Sequence, residues 1–206
     1  MKHYRMIRPP PGKTIYKGKI LELRKVSIKS GNNDEAIEKE IILHPGAVVI
    51  LPILDDGEIV LIKNKRLAIG ISLWELPAGT LEDNEDPRNC AYRELKEETG
   101  YTAEKLYYIG DLFTAGGWST HRLFVFVAEG LKPGPQHLDS GEKILGSKSF
   151  SIEKIFKKIA KGEILDAKTI ASIVLYKEKS KSGSERPSEE SKLMLKRYEK
   201  AENFSE

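Results

Sequence analysis

The chain has 206 residues, enough for one domain with extensions or one large α/β or α+β domain, and its 39% apolar share can build a real core. Lysine and arginine (34) nearly balance aspartate and glutamate (31), so a formal charge of +3 gives no case for nucleic acid or an acidic membrane as partner. One cysteine, Cys90, excludes a disulfide framework and a cysteine metal site, and it reads as a small packed residue.

The start, MKHYRMIRPPPGK, is basic and has no continuous apolar run, and no run elsewhere approaches membrane-spanning length. A soluble, cytoplasmic protein is expected. The segment TIYKGKILELRKVSI alternates apolar and charged residues, which predicts half-exposed strands, and GNNDEA predicts a turn. EKEIILHPGAVVILPIL carries β-branched runs broken at His44-Pro45-Gly46, hence two strands separated by a bend. Asp55, Asp56 and Gly57 then predict a hairpin turn, followed by a strand ending near Arg66. ISLWELPAGTLE reads as a strand running into a loop.

A helix follows with both ends marked. Asp86 suits the N-cap, Pro87 the first helical position and Gly100 the left-handed stop. YTAEKLYYIGDLFTA and STHRLFVFVAEGL are predicted strands around an AGGW turn, and LKPGPQHLDSGEK is a long polar loop. Two helices are predicted over SIEKIFKKIAKGEI and DAKTIASIVLYKEK. Past about Lys177 the apolar content falls, which predicts a flexible charged extension, with a short helix possible over SKLMLKRYEKA. The order of strands, helix, strands and helices predicts a sandwich of α/β or α+β class built on a mixed sheet.

On a helical wheel, Ala91, Tyr92 and Leu95 share one side of the capped helix, while Glu94, Glu97 and Glu98 fill the adjoining arc with Arg93 at its edge. A solvated face usually interleaves lysine with glutamate. Carboxylates at i, i+3 and i+4 repel by a few tenths of a kcal/mol per pair, and that repulsion turns favourable when a hard divalent cation sits among them.

From Gly79 the residues match G-x5-E-x7-R-E-U-x-E-E-x-G-U, U being a bulky aliphatic. Gly79, Glu85, Arg93, Glu94, Leu95, Glu97, Glu98 and Gly100 all fall in place, and only Tyr101 departs. This stretch resembles the Nudix box. HPGAVVILPILDDGEIVLIKNKR, LWELPAGTLE and GEILDAKTIASIVL extend the likeness over roughly residues 13 to 176, toward the ADP-ribose pyrophosphatase branch of that family.

The resemblance implies a Nudix-type α/β/α sandwich around a mixed sheet, with a small N-terminal antiparallel sheet that helps form a homodimer. It implies residues 1–45 as the N-terminal β region, 46–177 as the hydrolase domain and 178–206 as the charged extension. It further implies a hydrolase of nucleoside diphosphates linked to another group, dependent on Mg2+ with Mn2+ as substitute. Glu94 and Glu98 would be metal ligands, Glu97 a ligand or partner of a metal water, and the Ala78 carbonyl a further ligand. Glu85 and Arg93 would set the helix by a salt bridge. Arg66 would lie near substrate phosphates or on the surface. Glu75 would reach the site or a dimer partner, and Trp74 would line the pocket or pack. Glu142 would be the catalytic base, with Asp139 in reserve.

Two departures bear on substrate. Ala115 replaces a proline common in the branch, and His121 stands where many relatives carry an acid. Trp118, in the same turn, would stack on the nucleoside or pack. ADP-ribose leads as substrate; other ADP-sugars, GDP-mannose or a dinucleotide follow, and a nucleotide sensor without catalysis comes last. Nucleic acid is not expected as a partner, because the basic tail has little aromatic interleaving and turns acidic.

Overall fold

The computed structural model describes residues 11–29, 36–136 and 143–181. Three strands open the chain: β1 (Lys13–Lys17), β2 (Glu22–Lys29) and β3 (Ala36–Leu43), which form an antiparallel sheet in that order. They follow the sequence reading, and the bend at His44–Gly46 ends β3 as expected. The predicted turn at 31–35 lies outside the described residues, as do Asp139, Glu142 and everything from 182 onward.

The centre is a four-stranded mixed sheet in the order β7 (Ala78–Thr80), β4 (Ala47–Pro52), β9 (Arg122–Pro133), β8 (Tyr101–Phe113). β4 and β9 run parallel, Val49 opposite Val125, and the other pairs are antiparallel. Both faces of this sheet are buried, which is why β4 and the first half of β9 read as near-continuous apolar runs. Val48, Ile50, Phe124 and Phe126 face α1 (Pro87–Thr99). Val49, Leu51, Val125 and Val127 face the opposite core. That core is closed by a second sheet, β10 (Ile144–Phe150), β5 (Ile59–Arg66) and β6 (Ile71–Glu75), and by α2 (Ile152–Ala160) and α3 (Ala167–Lys181). The result is the mixed-sheet α+β sandwich expected.

Three local expectations change. Asp55–Gly57 does turn the chain, with Gly57 N donating to Leu54 O at 2.8 Å. The strands it joins are not a paired hairpin, however: β4 and β5 belong to different sheets, linked across the turn by an isolated Ile53–Ile59 bridge, and they meet by packing in the shared core. The loop after β6 contains β7, a short edge strand. The polar stretch after β9 is followed by β10, whose residues Ile144–Ser149 are mostly exposed and so carry no apolar alternation to announce it. No helix among the described residues is long and apolar enough to cross a membrane.

Candidate active site

α1 is fixed at both ends as its sequence requires. Asp86 accepts a hydrogen bond from Arg88 N at 2.7 Å, Pro87 needs no donor partner, and Gly100 (φ 75°) returns its N–H to Lys96 O at 2.9 Å. Cys90, Ala91 and Leu95 seat the helix on the central sheet, while Tyr92 is only half-buried. The acidic arc is not a solvated face: Glu94 is 6% exposed and Glu98 1%, and only Glu97 stays partly open.

Burying carboxylates costs several kcal/mol each unless partners compensate. Arg93 supplies much of that compensation. Its Nε and Nη2 each lie 2.9 Å from a Glu85 oxygen, a bidentate fork. Its Nη1 donates to Glu94 at 2.7 Å and to Glu97 at 3.0 Å. Burial pushes the Glu85 carboxyl up, but the bonds from Arg93 and from the Glu82 amide outweigh it and hold the group below the ordinary range. The Arg93 guanidinium is held above its usual value, first by the Glu85 bonds. Cys90 lies 3.3 Å from Arg93 Nη2, and burial pushes its thiol far up, so it packs as a neutral residue.

The helix presses these acids against β7. Ala78 N donates to Glu98 Oε2 at 2.7 Å. β7 is an edge strand, and the N–H and C=O of one extended residue point to the same edge. The Ala78 carbonyl therefore shares the side on which Glu98 lies. At Gly79 the approach is closer still: a Cβ there would lie 1.8 Å from the Glu94 carboxyl carbon. Only glycine leaves that carboxylate its place.

A second charged cluster lies at the end of β5. Arg66 forks onto Glu75, Nε at 2.9 Å from Oε1 with Nη2 on Oε2. Lys168, from the first turn of α3, reaches the same Oε2 at 2.5 Å and Asp166 at 3.0 Å. The Glu75 side chain is fully buried within its own chain, whereas Arg66 is 40% exposed. Bonding to Glu75 holds the Arg66 guanidinium above its usual value, and the Glu98 carboxylate adds to this, so the two clusters sense each other. Trp74, one residue before Glu75, packs edge-on against Phe150 with ring centroids 5.5 Å apart.

The sequence reading did not single out Lys168, Asp166 or Thr169. Asp166 Oδ2 accepts from Thr169 N and Thr169 Oγ1, an Asp-x-x-Thr cap that was legible, and Thr169 Oγ1 accepts from Leu76 N at 2.9 Å.

The Ala115 turn keeps its shape without proline, through Trp118 N and Ser119 N on Ala115 O at 3.0 and 2.9 Å. It is laced to β3 by Ile42 N on Trp118 O and Thr120 N on Ile42 O. Trp118 is 56% exposed and, with Phe113 and Ile41, lines an open cleft of about 450 Å3. His121 packs on His44, ring centroids 4.1 Å apart. Burial, reinforced by His121, pushes His44 down to about 4, and burial with the charge of Lys168 pushes His121 down as well.

Among the described residues no three His, Cys, Asp or Glu side chains surround one point closely enough to hold a metal. The donors fit a hard divalent cation in kind: carboxylate oxygens meeting a backbone edge across the Gly79 cradle. Such a cation is typically held by one or two carboxylates, with waters and substrate phosphates completing the shell.

An acidic helix clamped over a glycine edge strand, on this sandwich, defines a Nudix hydrolase. The chain belongs to that family: the NUDIX domain matches residues 43–173. It is similar to an ADP-ribose pyrophosphatase of Bacillus subtilis, 37% identical over 77% of this chain and 86% of the relative. A methanol dehydrogenase activator of Bacillus methanolicus is 32% identical over the same shares. Among solved structures, an ADP compounds hydrolase superposes with a TM-score of 0.73 at 21% identity, covering 84% of this chain and 94% of that one, and so shares the fold. Members of the family use a divalent metal. The chain is accordingly a hydrolase of pyrophosphate bonds.

Proposed function

We propose that the chain hydrolyses ADP-ribose to AMP and ribose 5-phosphate in the cytoplasm, with Mg2+ as metal and Mn2+ as a substitute. The observation that carries this reading is the pair of buried acids, Glu94 and Glu98, set against the Ala78–Gly79 edge, in a chain whose Arg66 keeps a partly exposed guanidinium. The 37% identity to the Bacillus subtilis ADP-ribose pyrophosphatase supports the choice of substrate.

Glu94, Glu98 and the Ala78 carbonyl would hold the cation, with Glu97 as a ligand or the partner of its water. A cation bound there neutralises the diphosphate and acidifies the attacking water. Arg66, anchored by Glu75, binds a phosphate oxygen with its planar fork. Arg93 and Glu85 hold the acids in register. Glu142, outside the described residues, takes the proton from the water as its oxygen attacks phosphorus and the bridging P–O bond breaks. Trp118 stacks on the adenine ring from its open cleft.

The N-terminal sheet supports a homodimer. Ile15, Tyr16, Ile28 and Ile37 are 41–64% exposed, an apolar surface that a second copy would cover. On the same reading the chain divides at 1–45, 46–177 and 178–206, the first segment serving dimerisation and contributing to the substrate site, the second being the hydrolase domain and the last a charged extension.

A second reading, service as an activator of a partner enzyme, is favoured by the Bacillus methanolicus relative, and hydrolysis of another nucleoside diphosphate derivative is the alternative within the hydrolase reading. One panel separates them: kcat/KM with ADP-ribose, ADP-glucose, GDP-mannose, NADH and diadenosine polyphosphates. ADP-ribose is expected to lead by tenfold or more. A flat panel would overturn the substrate assignment, and an empty one the enzyme assignment.

A further inference from the structure

Lys168 occupies a position that local preference disfavours. It is the second residue of α3, where the helix dipole repels cations, and no acidic residue shares that first turn. Its side chain is only 15% exposed. A lysine largely withdrawn from water at the wrong end of a helix breaks a local rule, and such breaches concentrate at functional sites.

Its partner explains the placement. Glu75 is a fully buried carboxylate flanked by two cations, Arg66 and Lys168, both on Oε2. A buried carboxylate needs its charge compensated, and losing a partner is costly. With two, the demand is shared, and Arg66 keeps a face for other work: Nη1 has no protein partner among the described residues. The four groups Arg66, Lys168, Glu75 and Asp166 sum to zero charge. Removing Lys168 would leave a net negative charge beside Glu98, where an anionic diphosphate is to bind. The same turn of α3 docks on the link between β6 and β7, Thr169 Oγ1 accepting from Leu76 N, close before the Ala78–Gly79 edge.

We propose that Lys168 is a positioning residue: it shares the buried Glu75 carboxylate so that Arg66 is aimed at the substrate diphosphate, a role that rests on the pyrophosphatase reading above. Lys168 touches neither substrate nor reacting atoms. Its effect runs through Glu75 and Arg66 and falls on substrate binding more than on turnover.

The test is a double-mutant cycle on the full chain with ADP-ribose. Lys168→Met is expected to raise KM about tenfold or more with kcat within threefold of the parent. In an Arg66→Ala background the same change is expected to move KM less than threefold. Equal effects in both backgrounds, or a loss confined to kcat, would overturn the proposal. Lys168→Arg keeps the charge and covers the case in which methionine unfolds the turn: recovery of KM to within threefold supports the role, and a tenfold rise contradicts it. A further readout needs no turnover. The charge of Lys168 adds to burial in holding His121 low, so its imidazole titration, followed by NMR, should move to higher pH in Lys168→Met; an unmoved titration would contradict the charge placement. If the parent ignores ADP-ribose, the substrate assignment fails separately, and the cycle is read on whichever pyrophosphate of the panel the parent cleaves best.

Discussion

The two charged clusters are built to opposite specifications. Around Arg93, three carboxylates converge on one guanidinium, and two more contacts tie Glu94 to Gly79 and Glu98 to Ala78. Around Glu75, two cations converge on one carboxylate. The first sets three carboxylates on one guanidinium and, on the proposed reading, takes a cation; the second keeps Arg66 partly exposed and, on the same reading, takes an anion. Both rely on one buried or half-buried ion that its neighbours share. The arrangement of the ions, not the presence of ion pairs, decides what each can bind.

The change expected to break this contrast most severely is Gly79→Ala. The new methyl would occupy the Glu94 carboxylate, so kcat should fall at least about a hundredfold, with about 1–3 kcal/mol of stability lost. Parent-like activity would show that Glu94 has no fixed place in the acidic cluster. Arg66→Lys tests the cationic side. Losing the planar fork should raise KM for ADP-ribose about tenfold while kcat moves little.

Acid should separate the clusters. His44 and His121, beside the cationic cluster, have folded values lowered below the ordinary 6.5, His44 to about 4. The unfolded chain binds those protons first, so stability is full above pH 6.5 and falls as pH drops toward 4. The loss is about 1–2 kcal/mol from His44, reduced because the ring is partly open to solvent. Glu85 is lowered from 4.5, so its contribution persists through that range and is lost only as pH falls below 4.5. Melting temperature against pH should therefore drop in two stages, and His44→Asn should remove much of the first. A single stage below 4.5 in the parent would deny the histidine contribution. The smallest effect belongs to Asp86→Ala, about 1 kcal/mol through the lost cap, a fall of about 2–4 °C in Tm that leaves both clusters in place.

These contrasts also mark what the sequence could tell. The helix over 87–99 was legible at both ends because its caps are local: Asp86, Pro87 and Gly100 each act within a few residues. The end of β5 at Arg66 and the bend at His44–Gly46 were legible for the same reason. The burial of Glu94 and Glu98 was not, because it depends on β7, which has three residues and no pattern of its own. Lys168 and Glu75 are 93 residues apart, and nothing local announces that they meet. β10 pairs only with β5 and exposes most of its side chains, so it too is a product of tertiary structure.

On the proposed reading the acidic cluster binds metal and the cationic cluster does not. Mn2+ binding, titrated by electron paramagnetic resonance without substrate, tests it on the parent, Glu98→Gln and Arg66→Ala. Glu98→Gln is expected to weaken Mn2+ at least about tenfold while Arg66→Ala stays within threefold of the parent. Parent-like Mn2+ binding in Glu98→Gln would contradict it.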